Sequence, residues 1–186
     1  QTYDGHGEIS DVCLKRKLRN RLQDMGECIF VQSDDNRAEG DEHRSLKARF
    51  DAEDFSDARK ESCEKWFDVR AFGQVFAFGQ NEGADAVSIG IRGPVTIQSA
   101  FSVEPVTMDS LQITKSVNLK TNEKNPGKKD SDTMGMKHRV DSAIYEVYGA
   151  MNTQLAGKTG FSDAEAEKIK KAFQTLFVND VSSARP

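Results

Sequence analysis

Residues 87–106, VSIGIRGPVTIQSAFSVEPV, decide the fold, because apolar residues alternate with small or polar ones along this stretch. The alternating positions are Val87, Ile89, Ile91, Val95, Ile97, Ser99, Phe101 and Val103. A two-residue period places every second side chain on one face, so the pattern predicts a half-buried sheet. Pro94 has no N–H for a strand ladder, and the Arg92-Gly93-Pro94 step therefore predicts a bulge, a bend or an exposed edge.

Helical patterns flank these strands on both sides. Ser10 is a favourable N-cap for a helix over residues 11–25, and Ser162 with Glu165 forms a capping box for a second helix. The first helix has the predicted core-facing stripe Leu14, Leu18, Leu22 and Met25. The second has the stripe Ile169, Ala172, Phe173, Leu176 and Phe177. Both stripes recur at helical spacing, so each helix is expected to pack on a core.

Further strands are predicted at three places: WFDVRAFGQVFAFGQ (66–80) as a strand or strand pair, a short strand over 111–117, and SAIYEVYGAM (142–151). The segments ITKSV and MGMKHRV, which border a loop rich in Asn, Lys, Gly and Asp, predict the stem of a hairpin. The order of helix, strands, long loop, strand and helix indicates the α+β class.

Residues 33–64 differ from the rest of the sequence in being polar, acidic and only weakly periodic. We expect a solvent-facing inserted excursion with a short helix around Phe55 to Trp66. Its carboxylates lack the spacing of an EF-hand, and a solvated acidic face is more common than a cation site.

The charge distribution matters more than the net charge of −4, which comes from 26 basic and 30 acidic residues. Two regions are locally basic. Residues 10–24 hold Lys15, Arg16, Lys17, Arg19 and Arg21 against two acids, and residues 115–140 hold seven cations against three acids. On the predicted helix, Lys15, Arg16 and Arg19 follow one flank of the leucine stripe. Such a flank can grip a nucleic-acid backbone, although a solvated cationic face is an equally good interpretation of it alone.

The chain shows no motif with a strong catalytic meaning. Phosphate-binding loops, nucleophile elbows, Cys-x-x-Cys pairs and His-Glu-x-x-His are all missing from the sequence. Its three cysteines are odd in number and widely spaced, which favours a reducing, cytoplasmic setting, and no apolar run is long enough to span a bilayer. His138, flanked by Lys137 and Arg139, is the one candidate general base, and a packing or RNA-touching histidine is the more common case. We predict no catalytic residue, metal or cofactor.

Five strings carry a family resemblance: SDVCLKRKLRN, SIGIRGPVTIQSAFSVEPV, LQITKSVN, SDTMGMKHRVDSAIYEVYGAMN and TGFSDAEAEKIKKAF. In this order they resemble the guide-RNA-coating backbone subunit of type I-C CRISPR interference complexes (Cascade), in the superfamily of CRISPR-associated proteins with RNA-recognition folds. The resemblance implies a ferredoxin-like palm over 1–186 with inserted fingers at 33–64 and a thumb or mobile loop at 116–135. It also implies a non-catalytic role in antiviral defence, in which the protein holds the guide for pairing with target DNA.

The resemblance gives the basic regions specific roles. Lys15, Arg16 and Arg19 match the helix that grips the guide backbone, and Arg92, Gly93 and Pro94 match a palm strand break near the RNA. The remaining predicted RNA-binding residues are Lys115, Met134, Lys137 and Arg139. Implied partners are guide RNA, the target DNA strand, further copies of the protein stacked along the RNA and other subunits of the complex, with no membrane.

Two expectations remain open at this point. The family pattern has a strand before the basic helix and another after the last residues, so parts of the palm are expected to be missing from this chain. The alternative function is a metal-independent RNA endonuclease that processes guide RNA, with His138 as its base.

Overall fold

The computed structural model describes residues 2–77, 88–114 and 134–180, which form a mixed α+β structure with short strands. The helices are α1 (Asp11–Asp24), α2 (Leu46–Asp51), α3 (Ala58–Lys65), α4 (Phe67–Phe72), α5 (Thr153–Thr159) and α6 (Asp163–Gln174). The strands are β1 (His6–Ile9), β2 (Gly73–Phe76), β3 (Ile89–Arg92), β4 (Val95–Ile97), β5 (Ala100–Pro105), β6 (Met108–Thr114), β7 (Met134–Val140), β8 (Tyr145–Glu146) and β9 (Gly149–Met151). No described helix is both long and apolar enough to cross a bilayer.

The strands form one three-stranded sheet, β1-β5-β8, and three antiparallel pairs, β2-β3, β4-β9 and β6-β7. The chain divides into two compact units. One contains residues 1–8 and 100–146, and the other contains residues 9–99 and 147–186. The α+β class is therefore confirmed, while the alternating stretch that suggested one sheet supplies strands to three small sheets.

Helix α1 follows its sequence signals closely. The hydroxyl of Ser10 accepts a hydrogen bond from the Cys13 amide at 3.3 Å, which caps the first turn. Leu14, Leu18 and Leu22 are buried, as predicted. Gly26, just beyond the helix, has φ of +88°, a conformation that glycine adopts without a steric penalty.

Residues 67–72 form helix α4, so the prediction of a strand from residue 66 onward is wrong for this part. Aromatic and β-branched residues favour strands in general, but here the Asp68 carboxylate accepts from the backbone amides of Phe30 at 2.7 Å and Val31 at 3.1 Å. These contacts hold the first turn of α4 against residues 30–31. Gly73, with φ of +80°, ends the helix and begins β2, the strand predicted for the second half.

The acidic excursion, residues 33–64, is not wholly solvent-facing as predicted. Its side chains Leu46, Phe50 and Phe55 pack against a buried cluster that contains Phe30 and Trp66. The Phe50 and Phe55 rings meet edge to face with centroids 5.8 Å apart. Weak helical periodicity hid these contacts, because the apolar residues are few: Leu46 and Phe50 lie on α2, and Phe55 lies in the segment between α2 and α3.

The face predicted for the central strands is correct for β4 and wrong for β5. Val95 and Ile97 are buried, whereas Phe101 and Val103 are 45% and 60% exposed. In β5 it is Ser102 that is buried. Its hydroxyl accepts from the Gly7 amide at 2.8 Å and donates to the Glu104 carbonyl at 2.6 Å, so burying it leaves no unpaired polar group.

Helix α6 has the predicted capping box, with Ser162 and Glu165 bonded reciprocally. Ile169 and Ala172 of its stripe are buried, as is Leu176 just beyond the helix end at Gln174, whereas Phe177 is 67% exposed. The short helix α5 was not predicted. It begins at the side-chain cap of Asn152, where a continuous strand over 142–151 was expected to end.

Candidate nucleic-acid interface

The three cations predicted on the flank of α1 have different surroundings. Lys15 pairs with Asp11, one turn earlier, at 3.1 Å and keeps 28% of its side chain exposed. Such a partly exposed i,i+4 pair contributes little stability and exchanges readily for another anion. Lys15 is therefore available to a ligand at small cost.

Arg19 instead belongs to the interior. Its Nε donates to Oδ2 of Asp68 at 2.9 Å, and only 1% of the Asp68 side chain is exposed. Its guanidinium also lies over the ring of Phe72, 5.2 Å from the centroid. A cation that compensates a buried carboxylate cannot leave it without a large cost, so its position is structural.

Arg16 lies in the wall of a cleft of about 330 Å³. Its Nη1 donates to the Val31 carbonyl at 2.7 Å, and the described part of the chain supplies no carboxylate that pairs with it. Burial, and then the nearby charge of Arg19, lowers the pKa of the Arg16 guanidinium despite the opposing attraction of Asp68 and Asp35. The guanidinium is thus half-buried and has no carboxylate in direct contact, although Asp35 also lines the cleft.

The other cations of this cleft are already paired. Lys17 forms an ion pair with Asp180 and lies 5.6 Å from the centroid of the Phe177 ring. Arg21 donates to the Thr175 hydroxyl at 2.9 Å and lies 3.7 Å from Asp24. Among the described cations of the cleft, Arg16 is consequently the one without a directly paired carboxylate.

Two further residues of the cleft wall were missed by the sequence analysis. Asn20 follows Arg16 by one helical turn, a spacing that could have indicated a shared face. Ser33 has a buried hydroxyl oxygen without a hydrogen-bond partner among the described residues. No local sequence signal places Ser33 beside α1, because the contact depends on how residues 30–36 fold back.

The Arg92-Gly93-Pro94 step combines one exposed and two buried residues. Arg92 is exposed at the end of β3, whereas Gly93 and Pro94 are buried. A Cβ on Gly93 would lie 2.4 Å from the Ala71 carbonyl oxygen and from the Gly73 nitrogen. The close approach of the two backbones explains the glycine, and it leaves Arg92 as the residue of this step that can contact a ligand.

Strands β6 and β7 form a two-stranded ribbon whose register places Asp109 opposite Arg139 and Leu111 opposite Lys137. Lys137 and Arg139 are both exposed, and Arg139 lies 3.3 Å from Asp141. Leu111 and Ile113 are 48% and 53% exposed. Together they give one face of the ribbon both cations and apolar surface. The ribbon contains part of the predicted hairpin stem, with Ile113 opposite Gly135 and Thr114 opposite Met134.

Lys115 and Met134 complete the set of predicted site residues. Lys115 lies outside the described residues, as do residues 116–133 of the predicted thumb. Met134 is placed as a strand residue of β7, and the prediction about its side chain lies outside what is described.

His138 does not share a face with the cations that flank it in sequence. Successive side chains of a strand point to opposite faces, so Lys137 and Arg139 lie on the face away from His138. Its Nδ1 lies 2.9 Å from the Ser110 hydroxyl across the ribbon. Neither cation is therefore positioned beside the imidazole to hold a phosphate for it.

The described residues support neither cysteine chemistry nor a metal centre. Burial raises the pKa of Cys63 and, together with the charge of Asp68 and Glu53, that of Cys28. Both thiols are thus less nucleophilic than an ordinary cysteine. Within residues 2–77, 88–114 and 134–180, no group of three or more His, Cys, Asp or Glu side chains is placed to hold a metal ion.

The fold and these surfaces define a mixed α+β protein with small antiparallel sheets, partly exposed cations on a helix flank and exposed cations on a ribbon. The family profile described as CRISPR-associated protein Cas7 matches residues 1–186, so the chain belongs to the Cas7 family. A curated relative, the CRISPR-associated protein Cas7 of Haloferax volcanii, is 27% identical over 200 residues, which cover 96% of this chain. The chain spans 56% of the length of that relative.

Proposed function

We propose that this protein is a non-catalytic backbone subunit that binds guide RNA in a CRISPR interference complex. Membership of the Cas7 family supports the class of function. The observation that carries the proposal is the Arg16 guanidinium in the wall of a cleft beside α1, with no directly paired carboxylate among the described residues. Phosphate oxygens suit such a group, because a guanidinium fork binds them with charge-assisted hydrogen bonds.

The proposed RNA contacts fall on two surfaces, each within one unit. In the larger unit they are Lys15, Arg16 and Arg92. In the smaller unit they are Lys137 and Arg139, on the exposed ribbon. Lys115 and Met134 are proposed as further contacts on the strength of the family resemblance. The resemblance also includes Arg19, Gly93 and Pro94, which are more buried than Lys15 and Arg92, and their proposed role is to support the surface of the larger unit.

The proposal extends to the architecture and partners that the family resemblance implies. Residues 1–186 form a palm of ferredoxin-like type, with fingers at 33–64 and a thumb or adjoining loop at 116–135. Copies stack along the guide in a cytoplasmic complex of the type I-C subtype with other subunits, and the bound guide pairs with a target DNA strand. In this role the protein contributes binding energy and order, and it makes no chemical bond.

Copurification of nucleic acid tests the proposal first. The purified chain is expected to carry RNA, seen as a raised ultraviolet absorbance ratio and as an oligomer that nuclease treatment dissociates. Binding to single-stranded RNA should weaken steeply with salt, since each neutralised phosphate releases counterions. A chain that binds neither copurified nor added RNA would contradict the proposal.

The competing function, a metal-independent RNA endonuclease, makes the opposite prediction. Its base would be His138, but the flanking cations lie on the other face of the ribbon, away from the imidazole. Incubation of labelled RNA with and without Mg²⁺ distinguishes the two functions. Product that vanishes in a His138→Ala variant would establish the enzyme and overturn the non-catalytic role.

A further inference from the structure

A second group of cations lies in the segment whose composition is most acidic. Residues 33–64 contain 11 acidic and six basic side chains. Three of those six, Arg37, Arg44 and Arg49, line one pocket of about 210 Å³ together with His43. One acidic residue, Asp34, lines the same pocket. The cations of the segment are therefore concentrated, while most of its acids face elsewhere.

The wall that carries His43 and Arg44 is fixed by internal hydrogen bonds. Asp41 accepts from the His43 amide and from Nε of Arg49, both at 2.9 Å. Arg49 also donates to the Phe30 carbonyl at 2.8 Å and to the His43 carbonyl at 3.4 Å. Because Asp41 neutralises Arg49, the charge that remains for a ligand comes from the other cations of the pocket.

The segment of the pocket lining that contains Arg37 is held by the side chain of Gln32. Its Nε2 donates to the Ile29 carbonyl at 2.8 Å, and its Oε1 accepts from the Ala38 amide at 2.9 Å. Arg37 itself has a loose partner, with Nε 4.0 Å from the carboxylate of Asp34, which is 88% exposed. A pair this long and this exposed contributes little, so an anion can replace it at small cost.

Two polar side chains that line the pocket have no partner among the described residues. In the described ranges of the chain, neither the Arg44 guanidinium nor the His43 imidazole has a hydrogen-bond or ion-pair partner. Both Arg37 and Arg44 line the pocket, so an anion bound there would lie beside two guanidinium groups. Arginine rather than lysine at both positions suits a planar, multi-oxygen anion, because the guanidinium donates two parallel hydrogen bonds.

We infer that this pocket binds one phosphate group of a nucleic-acid strand, separately from the cleft beside α1. The inference rests on the proposed function for the presence of a nucleic acid. The acids elsewhere on the segment repel the neighbouring phosphates, but screening confines this repulsion to roughly 8 Å at physiological ionic strength. The strand therefore contacts the pocket through one phosphate. Because other contacts hold the same strand nearby, the effective concentration of that phosphate at the pocket is high.

The first test follows the three histidine imidazoles of the full chain by NMR during titration with inorganic phosphate at constant pH and ionic strength. The His43 signals are expected to shift, and those of His6, whose Nδ1 bonds the Ser102 carbonyl, are expected to stay. The shift should disappear in an Arg37→Gln/Arg44→Gln variant that retains its fold. A silent His43, or an equal shift in that variant, would overturn the inference.

The second test compares strands of RNA and DNA. The Arg37→Gln/Arg44→Gln variant is expected to bind the preferred strand about fivefold more weakly at about 0.1 M salt, with a log–log salt slope reduced by about 0.7. The matched control, Lys47→Gln/Lys60→Gln, removes the same charge from exposed helix positions of the same segment and should change affinity less than about twofold. If the pocket variant loses affinity for DNA alone, the pocket binds the target DNA strand, and if it loses affinity for RNA alone, the pocket binds the guide. Equal losses of affinity in the pocket variant and the control variant contradict the inference.

The two proposals fail in distinguishable ways. If the wild-type chain binds no RNA while His43 still responds to phosphate, the proposed function fails and the pocket remains an anion site. If RNA binding depends on Arg16 while His43 is silent and the pocket variant behaves like its control, the function stands and the pocket does not bind phosphate.

Discussion

Arg19 donates from Nε to the carboxylate of Asp68 at 2.9 Å, and the same carboxylate accepts from the amides of Phe30 and Val31. The carbonyl of Val31 in turn accepts from Arg16 at 2.7 Å. The buried ion pair thus fixes the turn that orients Arg16. Two arginines three residues apart therefore have different tasks, one inside the protein and the other in a cleft wall.

Arg19→Gln is expected to lower the free energy of unfolding by about 3 kcal/mol, because it leaves the buried Asp68 carboxylate without its cation. Urea denaturation measures the change. Lys15→Gln is the matched control on the same helix and should alter stability by less than about 0.5 kcal/mol, since its pair with Asp11 is partly exposed. Equal, small losses for both variants would show that Arg19 is not structural.

Gly93→Ala is expected to destabilise the protein by about 3 kcal/mol, because the new methyl group would lie 2.4 Å from backbone atoms of residues 71–73. Gly90→Ala, in the preceding strand β3, is the control. Apart from its chain neighbours, no described heavy atom lies within 4 Å of a Cβ at that position, so its thermal unfolding midpoint should hardly change. If the Gly93→Ala variant has the wild-type unfolding midpoint, the close approach of the two backbone segments at Gly93 is contradicted.

Glu165→Gln tests the link between α6 and α4 through pH. Burial acts to raise the pKa of Glu165, but hydrogen bonds from Arg70 and Ser162 outweigh it and hold the pKa below its ordinary value of 4.5. A depressed folded-state pKa contributes stability above pH 4.5 that is lost as the pH falls through the folded-state value. The variant should be about 1 kcal/mol less stable at neutral pH, with the two stabilities converging in acid. A constant difference across this range would refute the assignment.

Local sequence signals were sufficient to predict the helices whose apolar residues recur at regular spacing. The leucines of α1 and the Ser162–Glu165 capping box depend on residues within a few positions of each other, and both were predicted correctly. Residues 67–72 show the limit of such signals. Their aromatic content favours a strand, yet they form a helix whose Asp68 is held by residues 38 positions earlier in the chain.

Local sequence signals were also insufficient to predict the candidate site in detail. Arg16 and Arg19 are equivalent in the sequence pattern, because both lie on one flank of a predicted helix. What distinguishes them is a non-local partner: Asp68, 49 residues after Arg19, compensates its charge and leaves that of Arg16 available. The pocket containing Arg37 and Arg44 was hidden for a related reason, since the acidic average of residues 33–64 suggested a uniformly negative face.

The central claim is that the chain binds RNA without cleaving it and that Arg16 contacts a phosphate. Its most direct test is fluorescence anisotropy of a labelled single-stranded RNA across a range of salt, followed by gel analysis of the same RNA. Relative to wild type, Arg16→Gln should bind about fivefold more weakly at about 0.1 M salt with a slope smaller by about 0.7, and Lys60→Gln should match wild type. Intact RNA with this pattern is the predicted result, whereas cleaved RNA, or an Arg16→Gln variant that binds like Lys60→Gln, would contradict it.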